Sequence, residues 1–118
     1  MSKKTVSFEC LSNAEADRIR YAVSLHRHAL KQQGVDLRNY APATAAAAGF
    51  GWDTVERAAR AMSNGSVTYM SYRIADALRA ALVTLAQRTP DRDKHLAATR
   101  TAERLNALVT SARAGEQA

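Results

Sequence analysis

The sequence predicts a mainly helical protein, all-α apart from one short N-terminal strand. Hydrophobic residues make up 47% of the 118 residues, but only 6% are aromatic and many are alanine. Small side chains let helices pack closely and suit a helical core better than a β-sandwich. Apolar residues also recur at helical spacing in several long segments. At this length we expect one domain over residues 1–118, built as a bundle of four to five helices.

The N-terminal segment has the alternating pattern of a β-strand. Val6, Phe8 and Cys10 fall on one side, and polar residues fall on the other. A period of two with β-branched and aromatic residues predicts a short strand over about residues 4–10. The alternation also turns the Cys10 side chain toward the interior.

Capping signals and apolar periodicity place five helices in the rest of the chain. Ser12 and Glu15 have the spacing of a capping box, and Gly34 is suited to end the helix that they begin. The first helix is therefore expected over about residues 13–33. The other four are expected over about residues 42–48, 53–62, 69–88 and 90–113. The segment SVTYMS at 66–71 is either the irregular start of the fourth helix or a second short strand.

The charge of the chain favours polyanionic partners. Seventeen Lys and Arg residues against eleven Asp and Glu residues give a net charge of +6 and a pI near 10.0. Residues 1–41 carry seven positive and four negative side chains, whereas residues 42–65 carry two of each. Positive charge attracts nucleic acid most strongly when it gathers on one face, so its distribution over the fold matters more than its total.

Residues 41–60 contain an alanine-rich segment, a glycine bend and the start of another helix. Ala45 is small enough to let two helices touch, Gly49 suits the turn between them, and Phe50 suits the buried position that follows. In these features the stretch resembles helix-turn-helix DNA-binding proteins in general. The same pattern also suits a plain corner between two helices of a bundle.

The resemblance implies a second helix whose inner side holds it against the domain while its outer side enters the major groove. Asp53 and Glu56 would form its capping box, and Val55 and Ala58 would face inward. The side chains expected to face the groove are Trp52, Asp53, Glu56, Arg57 and Arg60.

The DNA contacts expected from this arrangement come from two places in the sequence. Arg57 and Arg60 would carry base or phosphate contacts, with Trp52 and Asn64 near the DNA backbone. Three cations on one flank of the first helix would act as outer phosphate clamps: Arg20, Arg27 and Lys31. A basic stripe of this kind is equally typical of a solvated helix face.

The N-terminus allows a different DNA-binding hypothesis. A strand followed by a capped helix is similar to the opening of ribbon-helix-helix proteins, in which strands of two chains pair and lie in the major groove. That resemblance implies DNA contacts from Thr5, Ser7 and Glu9, with Lys3 and Lys4 on phosphates. We favour the alternative that the strand pairs within the chain with SVTYM.

The chain lacks the side-chain combinations of metal sites and of catalysis. His26 and His28 are two residues apart, so a helix points them in different directions, and no cysteine pair completes a ligand set. We expect His26 to be a core or interface histidine with its hydrogen bonds satisfied. Cys10 has no evident base to activate it, and Gly49-x-Gly51 lacks the third glycine and the lysine of phosphate-binding loops. We therefore expect no metal, no cofactor and no enzymatic activity.

These features together define two hypotheses of function. A single cysteine, with no membrane-length apolar segment and no signal-peptide pattern, indicates a cytoplasmic protein. The leading hypothesis is a small, dimeric regulator that binds double-stranded DNA and controls transcription or a mobile element such as a plasmid or phage. The alternative is a plasmid- or phage-encoded helical protein that binds and inhibits or adapts a protein partner. It predicts an exposed patch that includes Trp52, Tyr69 or Tyr72.

Overall fold

The computed structural model describes residues 5–41 and 49–117, which form four α-helices and a two-stranded sheet. In chain order the elements are strand β1 (Thr5–Glu9), helix α1 (Asn13–Gln32), a 3₁₀ turn (Leu37–Asn39), helix α2 (Trp52–Arg60), strand β2 (Val67–Ser71), helix α3 (Tyr72–Arg88) and helix α4 (Arg92–Gln117). The predicted mainly helical class is confirmed. The helix predicted over about residues 42–48 lies outside the described residues.

The two strands pair in an antiparallel ribbon in which Val6 lies opposite Met70. Val6, Phe8 and Cys10 are all buried, which confirms the predicted strand and its inward side. Because β2 takes up the SVTYMS segment, α3 begins at Tyr72 and not at residue 69. The pairing within the chain, which is the alternative that we favour, is therefore confirmed.

Both ends of α1 form as their capping residues predict. The Ser12 hydroxyl accepts a hydrogen bond from the Glu15 N–H at 3.0 Å. At the other end Gly34 has a φ of +77°, which glycine adopts without steric cost, and the Val35 N–H donates to the Leu30 carbonyl at 3.0 Å. Local hydrogen bonding therefore sets the length of this helix.

The carboxylate of Glu15 is buried where α1 meets α4. It accepts hydrogen bonds from the Leu11 N–H at 2.9 Å, the Thr101 hydroxyl at 2.8 Å and the Arg104 guanidinium at 2.6 Å. Burial raises the pKa of Glu15, but the three donors outweigh burial and hold the pKa below its ordinary value. The ionised carboxylate therefore ties the start of α1 to α4.

The core lies where α1, α2 and the sheet meet the helix pair α3–α4, which share the most extensive contact among the described elements. The largest fully buried side chains are Trp52, Phe8, Ile19, Leu78, Leu82, Leu105, Val55 and Cys10. Several alanines of the helices are fully buried, among them Ala16, Ala22, Ala75, Ala81 and Ala98. Alanine therefore makes up a large part of the core, as the composition indicated.

Helix α4 begins slightly later and ends later than predicted. The carboxylate of Asp91 accepts hydrogen bonds from the N–H groups of Asp93 and Lys94, at 2.9 and 3.1 Å, so Asp91 serves as the N-cap. Pro90 therefore precedes the helix and does not open it. The helical backbone continues to Gln117, beyond the expected end at residue 113.

Candidate functional site

Helix α2 lies on the surface, with one side buried and the other exposed. Trp52, Val55 and Ala59 are buried on its inner side. The side chains exposed on its outer side are Asp53, Arg57 and Arg60. The inward position predicted for Val55 is confirmed, whereas Ala58 is only half-buried.

Trp52 is buried, although the sequence placed it on the outer side of α2. It is 1% exposed, and its ring lies 4.9 Å from that of Tyr40 and 5.6 Å from that of His26 between centroids. The helix begins at Trp52 with Gly51 as its N-cap, so the predicted Asp53 capping box is wrong. Burial of so large a ring outweighs an N-cap, which contributes only about 1 kcal/mol. Trp52 is therefore a core residue and not a DNA contact.

A backbone bridge between Tyr40 and Phe50 closes the bend before α2. Each N–H donates to the carbonyl of the other residue at 2.8 Å, and the two rings meet edge-on at 5.9 Å between centroids. A Cβ atom on Gly49 would lie 2.6 Å from the Tyr40 carbonyl oxygen, so this close approach requires glycine. Ala45, the proposed small residue of the first helix, lies outside the described residues.

Arg20 holds the C-terminal end of α2 against α1. Its Nη1 donates to the carbonyl oxygens of Ala59 at 3.2 Å and Met62 at 2.9 Å. The guanidinium also meets the negative end of the helix dipole there. Because His26 contacts Trp52 at the opposite end, α1 and α2 run antiparallel. The Arg20 guanidinium is therefore engaged in positioning α2 and does not extend outward as a phosphate clamp.

The other predicted contact residues all lie at the surface: Arg27, Lys31, Arg57, Arg60 and Asn64. Arg57 pairs with Asp53 at 2.8 Å across one turn of α2, and both side chains are more than half exposed. The Asn64 N–H donates to the Asn13 side chain at 3.0 Å, which joins the turn after α2 to the start of α1. We did not predict this ion pair from the sequence, although the i,i+4 spacing of Asp53 and Arg57 is typical of one.

Arg27 and Lys31 lie on the side of α1 that adjoins α2. Arg20 contacts α2, and residues seven and eleven positions further along a helix fall close to the same side. At 1.5 Å per residue, Arg27 lies roughly 10 Å beyond Arg20, toward the start of α2. We call the exposed side chains of Arg27 and Lys31 on α1 and of Arg57, Arg60 and Asn64 on or just after α2 the α1–α2 face.

His26 belongs to α1 and is half-buried, with Trp52 of α2 and Thr84 of α3 as its neighbours. Its Nδ1 atom lies 2.9 Å from the Thr84 hydroxyl oxygen, which confirms the prediction of a satisfied histidine. Burial lowers the pKa of His26, and the positive charge of Arg88 lowers it further. His26 is therefore neutral near pH 7 and adds no positive charge to the α1–α2 face.

No model of a known protein family matches the chain, and no curated protein or solved structure is detectably similar to it. Among the described residues, no group of three or more His, Cys, Asp and Glu side chains could hold a metal ion. Nor does any helix in residues 5–41 and 49–117 combine the length and the apolar character needed to cross a membrane. The geometry of the surface is therefore the guide to function.

Proposed function

We propose that this protein binds double-stranded DNA through the α1–α2 face, as a small dimeric regulator of transcription or of a mobile element. The observation that carries the proposal is the anchoring of α2 at both ends. Trp52 is buried at its start, and Arg20 holds the carbonyl groups at its end. A helix held in this way can offer its outer side to a groove with little ordering cost.

The Asp53–Arg57 ion pair leaves Arg57 available to DNA. An exposed i,i+4 pair contributes only about 0.3–0.5 kcal/mol, so Arg57 can exchange its carboxylate partner for a guanine edge or a phosphate. Asp53 can then accept a hydrogen bond from a cytosine amino group. Base contacts in this proposal therefore come from α2, which is itself close to neutral.

Phosphate contacts come from the α1 side of the face. Arg27 and Lys31 are exposed one turn apart, and no salt bridge engages either among the described residues. Each cation that neutralises a phosphate releases counterions, so its contribution weakens as salt concentration rises. In a dimer, two α2 helices about 34–36 Å apart would match successive turns of the major groove.

Fluorescence anisotropy of a labelled random-sequence duplex at several salt concentrations tests the proposal. For the wild-type protein we expect log K to fall linearly with log salt concentration. The double variant Arg27→Ala/Lys31→Ala should reduce the steepness of that line by roughly 1.8, since two phosphate contacts are lost. The matched control is Arg92→Ala/Arg100→Ala, which removes two exposed cations from α4 instead.

The control variant should leave the steepness nearly unchanged. An equal reduction of the steepness in both double variants would mean that DNA affinity depends only on the total charge of the protein. The α1–α2 face would then not be the binding surface. Absence of binding by the wild-type protein at low salt would reject DNA binding altogether.

A further inference from the structure

A groove lies between α1 and the junction of α3 with α4, on a different side of α1 from the α1–α2 face. Its volume is about 590 Å³, which is within the range of ligand-binding clefts. Leu25, Leu85 and Pro90 line it with apolar surface. Leu25 and Leu85 are only half-buried, so the fold leaves part of their surface open to water.

The aromatic ring of Tyr21 borders this apolar surface and is itself 61% exposed. By contrast, Tyr40 and Tyr72 are buried in the core. Tyrosine is enriched at the centres of protein–protein interfaces because it offers a large contact area at low entropic cost. An exposed tyrosine beside partly open leucines therefore marks surface that a partner could cover.

The rim of the groove is positively charged. Arg18, Arg88 and Lys94 line it, and the carboxylate among its lining residues belongs to Asp17. That carboxylate is already paired with Arg20 at 2.7 Å. The groove thus combines an apolar centre with cations that an incoming carboxylate can pair with.

We propose that this groove binds an acidic, amphipathic helical segment of a partner protein. Apolar side chains of the segment would cover Tyr21, Leu25 and Leu85, and its carboxylates would face the cationic rim. The residues of α1 that line the groove recur at helical spacing from Ala14 to Leu25. They span roughly 16 Å along the helix axis. About three turns of a docked helix would match that length, with apolar anchors at i, i+3 or i+4, and i+7.

Charge and surface chemistry favour this occupant over two others. A second copy of the chain carries a net charge of +6, so association through a cationic groove would meet repulsion. Single-stranded nucleic acid stacks its bases on several aromatic rings. Here the groove offers the ring of Tyr21 beside aliphatic side chains. The proposal does not depend on DNA binding, because the two surfaces lie on different sides of α1.

Selection from a phage-displayed library of random 16-residue peptides tests the proposal with the whole chain as target. Phage that also bind the double variant Tyr21→Ala/Lys94→Glu are then discarded. We expect enriched peptides rich in Asp and Glu, with apolar residues at helical spacing. A synthetic consensus peptide should then bind the wild-type protein at least tenfold more tightly than the double variant.

Both substitutions are chosen to leave the fold intact. Tyr21 is largely exposed, and Lys94 is the third residue of α4, where glutamate is favoured at a helix start. The matched control is Tyr69→Ala, which removes a 73% exposed tyrosine from β2. Peptide affinity should be unchanged in that control and in Arg27→Ala/Lys31→Ala.

Three outcomes would overturn the proposal. One is a selection that yields no peptide whose binding depends on Tyr21 and Lys94. Another is a consensus that is basic or lacks acidic residues. The third is displacement of the consensus peptide by a short single-stranded oligonucleotide or by unlabelled protein, which would assign the groove to nucleic acid or to a second copy.

Discussion

Helix α1 borders two regions that differ in how completely their contact is filled. On the α2 side, the rings of His26, Tyr40 and Trp52 pack together and Arg20 closes the far end. On the groove side, Tyr21 and the neighbouring leucines remain partly exposed. A filled contact fixes the position of a surface element, whereas an open one retains apolar area that only a partner can bury.

The largest expected difference is in the free energy of unfolding after one aromatic side chain is truncated on each side of α1. Trp52→Ala removes a buried ring and should lower the free energy of unfolding by about 3–5 kcal/mol. Tyr21→Ala removes an exposed ring and should change it by less than about 0.5 kcal/mol. Urea denaturation followed by circular dichroism measures both values.

Trp52→Phe provides a control for the loss of volume. The Trp52 Nε1 atom is buried and has no hydrogen-bond partner among residues 5–41 and 49–117, so phenylalanine loses size but removes a donor that these residues leave unsatisfied. It should cost less than Trp52→Ala by at least about 2 kcal/mol. Equal costs for Tyr21→Ala and Trp52→Ala would mean that the groove side is as filled as the α2 side.

The next effect concerns the contact of α1 with α4. Glu15→Gln keeps the side-chain volume but removes the charge that faces Arg104, and we expect a loss of about 2–3 kcal/mol at pH 7. The pKa of Glu15 lies below its ordinary value near 4.5, so the ionised form stabilises the fold above that pH. The wild-type protein loses this stabilisation as pH falls through the lowered pKa.

The difference between wild type and Glu15→Gln should therefore shrink in acid. Unfolding curves at pH 7, 5 and 3 test this expectation, with the exposed Glu103→Gln variant as control. A difference that stays constant down to pH 3 would show that the charge of Glu15 does not contribute to stability.

The smallest expected effect concerns recognition of DNA bases by the α1–α2 face. On a duplex selected from a random pool by the wild-type protein, Arg57→Ala should cost about 1–3 kcal/mol of binding free energy if Arg57 contacts a guanine. Its effect on unfolding should stay within about 0.5 kcal/mol, because the pair with Asp53 is exposed. Anisotropy measures the first value, and an unchanged affinity would remove Arg57 from the proposed contacts.

The elements that the sequence predicted well depend on neighbours along the chain. Ser12 and Gly34 set the ends of α1 through hydrogen bonds that span three to five residues. The alternation of Val6, Phe8 and Cys10 likewise predicted their inward side. Surface positions on α2, such as Arg57 and Arg60, followed from helical periodicity once the helix itself was placed.

Two predictions that failed, those for Arg20 and Trp52, concern residues whose partners lie far along the chain. Arg20 and Arg27 belong to one basic stripe, yet only Arg20 reaches the end of α2, 39 and 42 residues away. Trp52 is the first residue of α2, where the apolar periodicity of the helix is compatible with either a buried or an exposed side chain. Its burial depends on Tyr40 and His26, which the bend before α2 and the packing of α1 bring to it.

The groove likewise could not be predicted from the sequence, because residues from separate segments line it. Arg18, Tyr21 and Leu25 come from α1, while Leu85 and Lys94 come from either side of the α3–α4 junction. The helical class, the strand alternation and the ends of α1 follow from the sequence alone, since they arise from hydrogen bonds and periodicity within a few residues. Which aromatic rings are buried, and which arginine holds the end of α2, became evident from the folded structure, because burial depends on which distant segments pack together.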